Sequence, residues 1–283
     1  MFKLFKKSYL TAIPAILSLS TMIPSLSASE CCDAPECNRI YIGAFGGGIY
    51  SNSSNAYQMG TAFFTEAEGG PLAVLGRGSL NKTSAGFGGV QLGYELSQCP
   101  ISVGCSDWTI VPALELEAYW FSHSKNGEFI NTTDRLPEHD FLNSFQTNTG
   151  VYLANIVLAL DTSCCGSFTP YIGGGIGVAR VSVKNATSTQ IAPPEEGVNH
   201  FNSKRNDSCR TLAAQAKAGL RYKICESFHV FGEYRYLLVD ATDFVFGSTV
   251  YATHAPTSPW LVNVKHVQNN SFVFGVQYDF SSR

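Results

Sequence analysis

Residues 272–280 alternate with a period of two. Phe272, Phe274, Val276, Tyr278 and Phe280 fall on one face of a strand, and Val273, Gly275, Gln277 and Asp279 fall on the other. A soluble antiparallel strand also alternates, but its apolar face packs on a core. Five large apolar side chains opposite Gly, Gln and Asp equally suit a barrel wall with lipid outside and a polar lumen inside. One strand does not separate these two folds, so the choice falls to the other strands and their connections.

The N-terminal stretch reads as an export signal. Lys3, Lys6 and Lys7 form a basic start, residues 9–22 are mostly apolar, and Ser25, Ser27, Ala28 and Ser29 are small. We expect a signal peptide over residues 1–28, cleaved near Ala28. Removing it takes away three lysines and no acid, so the net charge moves from −3 to −6. An acidic mature chain argues against a nucleic-acid partner. Beyond the signal no apolar run is long enough for a spanning helix. The best, residues 151–160, is short and contains Asn155. An exported chain without helical spans is either soluble outside the cytoplasm or a β-barrel.

Eight segments read as strands, at roughly 40–50, 84–97, 109–122, 145–160, 168–184, 209–224, 227–242 and 271–280. Their connections run long, short, long, short, long, short, long. In an up-and-down barrel alternate connections lie on the same side, and short turns opposite long loops are the pattern of an outer-membrane barrel. Structureless loops of this length are out of place in a compact soluble domain. The sequence therefore predicts an all-β fold, an eight-stranded antiparallel up-and-down transmembrane β-barrel. It divides into the signal over 1–28, a Cys-containing periplasmic segment over 29–39 and the barrel over 40–283.

The alternation recurs in other strands. Leu212, Ala214, Ala216, Ala218, Leu220 and Tyr222 oppose Gln215, Lys217, Gly219, Arg221 and Lys223. Phe228, Val230, Tyr234, Tyr236 and Leu238 oppose His229, Glu233 and Arg235, and Leu114, Leu116, Ala118 and Trp120 oppose Glu115 and Glu117. Val90, Leu92, Tyr94 and Leu96 oppose Gln91 and Glu95, while Asn155, Arg180 and Lys184 are expected to set the inward faces of the fourth and fifth strands. The candidate lumen charge network is thus Glu95, Glu115, Glu117, Arg180, Lys217, Arg221, Glu233 and Arg235. A narrow eight-stranded lumen is filled by side chains, so buried charges there must pair. Aromatics mark two interface belts. Tyr41, Tyr94, Trp108, Phe168, Tyr171, Tyr222 and Phe280 lie near the turns, and Tyr50, Trp120, Phe145, Tyr236 and Phe272 near the loops.

Residues 170–177 (PYIGGGIG), 232–236 (GEYRY), 275–280 (GVQYDF) and 41–48 (YIGAFGGG) resemble the OmpA/opacity-type small outer-membrane barrels, over about residues 40–280. The resemblance implies residence in the outer membrane, contact with its lipid and insertion by the barrel-assembly machinery. It also implies that the lumen charges act either as a structural plug or as a gate for ions and small solutes. Loops, not the wall, would carry any specificity for host surface molecules.

Nine cysteines are the unusual feature. Cys31, Cys32 and Cys37 precede the first strand, and Cys99, Cys105, Cys164, Cys165 and Cys225 fall in the short turns. These eight are expected on the periplasmic side, as candidates for disulfides within the chain or to neighbouring envelope proteins. Cys209 is expected outside. Without a CxxC and with only His229 close to a cysteine, no metal site is expected, and no cofactor. The glycine run at 173–177 lacks the helix and Lys-Ser/Thr of a phosphate loop, and neither GxSxG nor HExxH occurs. Asp134, Glu138, His139 and Asp140 read as a solvated acidic loop. The expectation is a non-enzymatic surface protein, antigen-like or adhesin-like, with a narrow porin-like channel as the alternative.

Overall fold

The computed structural model describes residues 38–98, 100–102, 108–134, 139–162 and 167–280. The expected signal peptide, and the N-terminal segment up to Cys37, lie outside the described residues. Among the described residues thirteen strands form one antiparallel sheet. They are β1 (Arg39–Ser51), β2 (Ser54–Phe63), β3 (Pro71–Leu80), β4 (Thr83–Glu95), β5 (Ile101–Ser102), β6 (Trp108–Asn131), β7 (Asp140–Thr162), β8 (Phe168–Ala192), β9 (Asp207–Cys225), β10 (Phe228–Val239), β11 (Thr242–Phe246), β12 (Trp260–Val264) and β13 (Val267–Phe280).

Eight of them close a ring in the order β1, β4, β6, β7, β8, β9, β10, β13. Residues 272–280 lie in β13, which seals it. Phe280 pairs with Ile40 and Phe272 with Gly48 on one side, while Tyr278 pairs with Phe228 on the other. The two faces of β13 meet different surroundings. Phe272 and Phe274 are 68% and 75% exposed, whereas Val273 is 1% exposed inside the ring. Leu116, Ile156, Ile172, Ile176 and Leu212 are likewise exposed on the outer wall. An exposed apolar wall around a closed ring of paired backbone is the structure a bilayer permits.

Glycine lets so narrow a ring hold large rings inside. A Cβ on Gly93 would collide with the Tyr41 ring, and one on Gly275 with Phe231. One on Gly219 would come within 2.6 Å of Tyr171. The glycine-rich strands are therefore fitted to the aromatic residues they face.

The long connections are not the structureless loops expected from sequence. They build a second tier above the ring. β6, β7 and β8 have 24, 23 and 25 residues. A tilted strand crosses a bilayer in about 9–11 residues, so more than half of each strand stands clear of it. The first connection folds into the β2–β3 hairpin, turned by a 3-10 turn (Glu66–Glu68) that Thr65 and Glu68 cap reciprocally. β3 pairs with the top of β6, and the order β11, β12, β2, β3 extends the upper wall. β11 meets the start of β9 through the Val245 amide, which donates to Asp207 Oδ2 at 2.7 Å. Inside lies an apolar core that includes Phe129, Phe141, Phe145, Phe201, Phe246, Trp260 and Val262. The correction has a plain physical source. Phe244 and Phe246 alternate, as do Trp260, Val262 and Val264, and these residues gain by burial against one another rather than by exposure to water.

Three belt assignments are also corrected. Tyr41 and Tyr171 turn into the ring, where glycines make room for them, and Phe145 joins the upper core. Tyr94, Trp108, Phe168, Tyr222 and Phe280 at one end, with Tyr50, Trp120 and Phe272 towards the other, are exposed on the outer wall.

Candidate functional site

The ring interior is built in layers, and its middle is a knot of charge. Lys217 on β9 sends its ammonium between Glu115 and Glu117 of β6, 2.7 Å from Glu117 Oε1 and in close contact with Glu115. Arg235 on β10 contacts Glu233 closely and lies 3.0 Å from Glu117 Oε1. Neutral partners complete the knot. Tyr41 donates to Glu115 at 2.8 Å, Tyr171 to Glu233 at 2.7 Å, and Gln215 to Glu117 at 2.7 Å. Asn155 donates to Glu115 at 3.3 Å. Six strands, β1, β6, β7, β8, β9 and β10, thereby meet at one point. Carboxylates one register apart on β6 face inward together because residues i and i+2 share a face.

Towards the turn end Glu95 takes Arg39 at 2.6 Å and Arg221 at 3.2 Å. Asp279 accepts from Gln277 at 2.7 Å, with His229 Nδ1 3.6 Å away. On the other side of the knot the Arg235 guanidinium lies 4.0 Å from the centre of the Phe45 ring. Phe45, Phe87 and Tyr119 pack edge to face above it. Such contacts let a cation sit against an apolar layer. Little space remains: a cavity of about 20 Å³ beside the knot and one of about 120 Å³ at the turn-side mouth. The first is close to a single water.

Seven of the eight predicted network residues therefore face inward and are paired. Arg180 does not, and neither does Lys184. In β8 the odd positions Tyr171, Gly173, Gly175, Gly177 and Ala179 line the interior, so Arg180 follows Ile172, Ile176 and Val178 onto the outer face. It is exposed and pairs across the sheet with Gly150 and Arg210. Lys223, also expected inside, is exposed at the end of β9.

A polar, ring-filled lumen inside an apolar closed wall has one setting. The chain is an outer-membrane-type β-barrel. No family model matches it, and no curated protein does. Among solved structures the barrel is similar to the outer membrane protein OprG from Pseudomonas aeruginosa, at 14% identity and TM-score 0.45, covering 88% of this chain and 100% of that one. It is similar to the outer membrane protease OmpT from Escherichia coli at 8% identity and TM-score 0.38, covering 84% and 97%. Neisserial surface protein A matches at 14% identity and TM-score 0.32, covering 85% and 97%.

The upper tier of the barrel holds polar groups that sequence reasoning missed. Asn143 donates to Gln58 at 2.6 Å and Gln58 to Ser188 at 3.1 Å, linking β7, β2 and β8 through the core. Higher up, Glu195, His200 and His254 bring a carboxylate oxygen and two ring nitrogens within 4.8 Å of one another. Burial lowers His200 to about 4, with His254 and His139 adding to the effect against the Ser188 carbonyl, so its ring is neutral. Glu195 and His200 sit five residues apart in one connection while His254 lies in another, a pattern that matches no ligand spacing, and only the alternation of the upper strands hints at a core that could gather them. Where the two tiers join, an apolar cavity of about 50 Å³ lies among Phe121, His123, Lys125, Phe145 and Phe244. The Lys125 ammonium donates to the Asn52 carbonyl at 3.0 Å and His123 stacks on Phe121.

Of the cysteine candidates, Cys31, Cys32, Cys37, Cys99, Cys105, Cys164 and Cys165 lie outside the described residues. Cys225 is exposed at the end of β9, where it pairs with Phe228, and carries a free thiol, as does half-buried Cys209.

Two outcomes test this interior. Lys217→Met leaves Glu115 without a cation and Glu117 with Arg235 alone. A buried pair broken on one side costs about 3–5 kcal/mol. The variant is expected to lose its compact gel mobility at a lower temperature than the parent, and equal heat resistance would show that the knot does not hold the ring. The second outcome concerns pH. Burial lowers His123 from 6.5 to about 4, with Lys125 adding to it, and lowers Lys125 from 10.5 to about 8. A loosened junction binds these protons more readily than the folded one, so stability rises with pH across both windows. Melting of the upper tier, followed by tryptophan fluorescence, should move upward between pH 4 and 6.5, and less so in His123→Leu. A melting temperature that is flat over that range would contradict the assignment.

Proposed function

We propose that the protein is a structural barrel of the bacterial outer membrane whose upper tier is its outward-facing working surface, as in an antigen or adhesin. The observation that carries this reading is the pairing of a plugged lumen with an ordered, cored tier above it. Charges in the lumen are spent on each other, and the space among them is near the size of one water. The resemblance to OmpA/opacity-type barrels supports the same role. It is a binding and scaffolding role rather than a catalytic one, with outer-membrane lipid around the wall and host surface molecules as partners of the tier.

Planar-bilayer recordings separate this reading from the porin-like one. The parent barrel is expected to show no steady conductance, and Glu233→Gln with Arg235→Gln is expected to open one by removing charges that bridge β9, β10 and β6. Steady conductance of the parent would favour the channel.

We also propose that turn-side cysteines tie the barrel to other envelope proteins. Support comes from Cys225, exposed and free at the end of β9 beside the short turn into β10. Intact envelopes quenched with an alkylating agent should give high-mass bands on non-reducing gels that collapse on reduction. A strictly monomeric band would exclude the cross-links.

A further inference from the structure

The Glu195, His200 and His254 cluster has an arrangement that none of the roles above uses. His200 Nδ1 lies 3.1 Å from the Ser188 carbonyl, and His254 Nδ1 lies 2.6 Å from the Ala255 carbonyl. A carbonyl can only accept, so each Nδ1 carries a proton, and the Nδ1–H tautomer of imidazole leaves the lone pair at Nε2. Both Nε2 atoms face the same carboxylate oxygen, Glu195 Oε2, at 3.5 Å and 3.4 Å. These separations are too long for good hydrogen bonds. Oε2 is buried and has no hydrogen-bond partner among the described residues. Three electron-pair donors thus converge with nothing electropositive between them.

A transition-metal ion resolves that arrangement. Two ligands held about 2.1 Å from a tetrahedral zinc ion stand about 3.4 Å apart, which is the spacing seen from each ring nitrogen to Oε2. The backbone carbonyls behind the two rings fix their orientation as outer partners of metal-bound histidines do. Phe141 and Trp260 pack edge to face on the His200 ring and hold it in place. A cavity of about 400 Å³ opens beside the cluster, lined also by His139 and Glu68, and gives an ion a way in.

We propose that Glu195 Oε2, His200 Nε2 and His254 Nε2 bind a divalent transition-metal ion of the zinc class, with the remaining coordination position open to the cavity. Imidazole ligands select such ions over calcium or magnesium, which take oxygen. The site would join the β8–β9 connection, which carries Glu195 and His200, to the β11–β12 connection, which carries His254. It does not depend on whether the barrel is an adhesin or a channel.

The test uses the folded, untagged barrel in detergent with its thiols alkylated, so that cysteine does not compete. Cobalt(II) serves as the probe because its visible bands report nitrogen and oxygen coordination. One cobalt per chain is expected, displaced by zinc. His254→Ala and Glu195→Gln change partly exposed side chains, and each should weaken binding by about tenfold or more while the heat-dependent gel shift of the barrel persists. Zinc should also slow proteolysis within residues 247–258 of the parent but not of His254→Ala. Absence of a cobalt spectrum up to millimolar ion, or unchanged affinity in both variants, would overturn the site.

Discussion

The structure depends on one ammonium group. Lys217 reaches between two carboxylates on neighbouring inward positions of β6, in a ring too narrow to hold water in their place. Each partner alone would be a buried charge costing several kcal/mol, and together they make a point at which β6, β9 and β10 cannot slide past one another. The aromatic layer above and the Glu95 pair below follow from the same restriction. Side chains must fill the lumen, and polar ones must find each other there.

Much of the ring was legible in sequence because lipid and lumen impose opposite demands on alternate residues. β13 shows this best: Phe272 and Val273 differ by one position and by nearly the full range of exposure. The reading failed where composition did not mark the faces. In β8, glycines and small residues occupy the inward positions of the ring, so Arg180 and Lys184 offer the only charges and nothing in the strand itself marks them as outward. For Tyr41 and Tyr171 the sequence is ambiguous, because an aromatic at a strand end serves either face. The glycine opposite each one decides the matter, and that pairing is a property of the sheet rather than of either strand.

The upper tier was missed for a different reason. Its strands are short, separated by polar turns and paired over long sequence distances, as β2 is with β12. Within each segment the alternation is brief, and a few apolar residues do not announce a core until their partners are known. The histidine and glutamate cluster shares this origin. Its members come from two connections, and the tier's fold alone makes them neighbours.

β6, β7 and β8 run unbroken from the turn end of the ring to the top of the second tier. A one-residue slip in the membrane would therefore turn Phe129 and Phe141 out to solvent many residues away. Between β6 and β7 the two tiers share a single register, whereas β8 shifts by one residue opposite Ser144–Gln146, so that Ala179 and Val183 face inward below the shift and Ala186 and Ser188 above it. On β6 and β7, a substitution that leaves both interiors intact must fall on outward positions such as Ile130 and Leu142. The β2–β3 hairpin and the β11–β12 pair stand outside that constraint, because they pair only within the upper tier and with the top of β6.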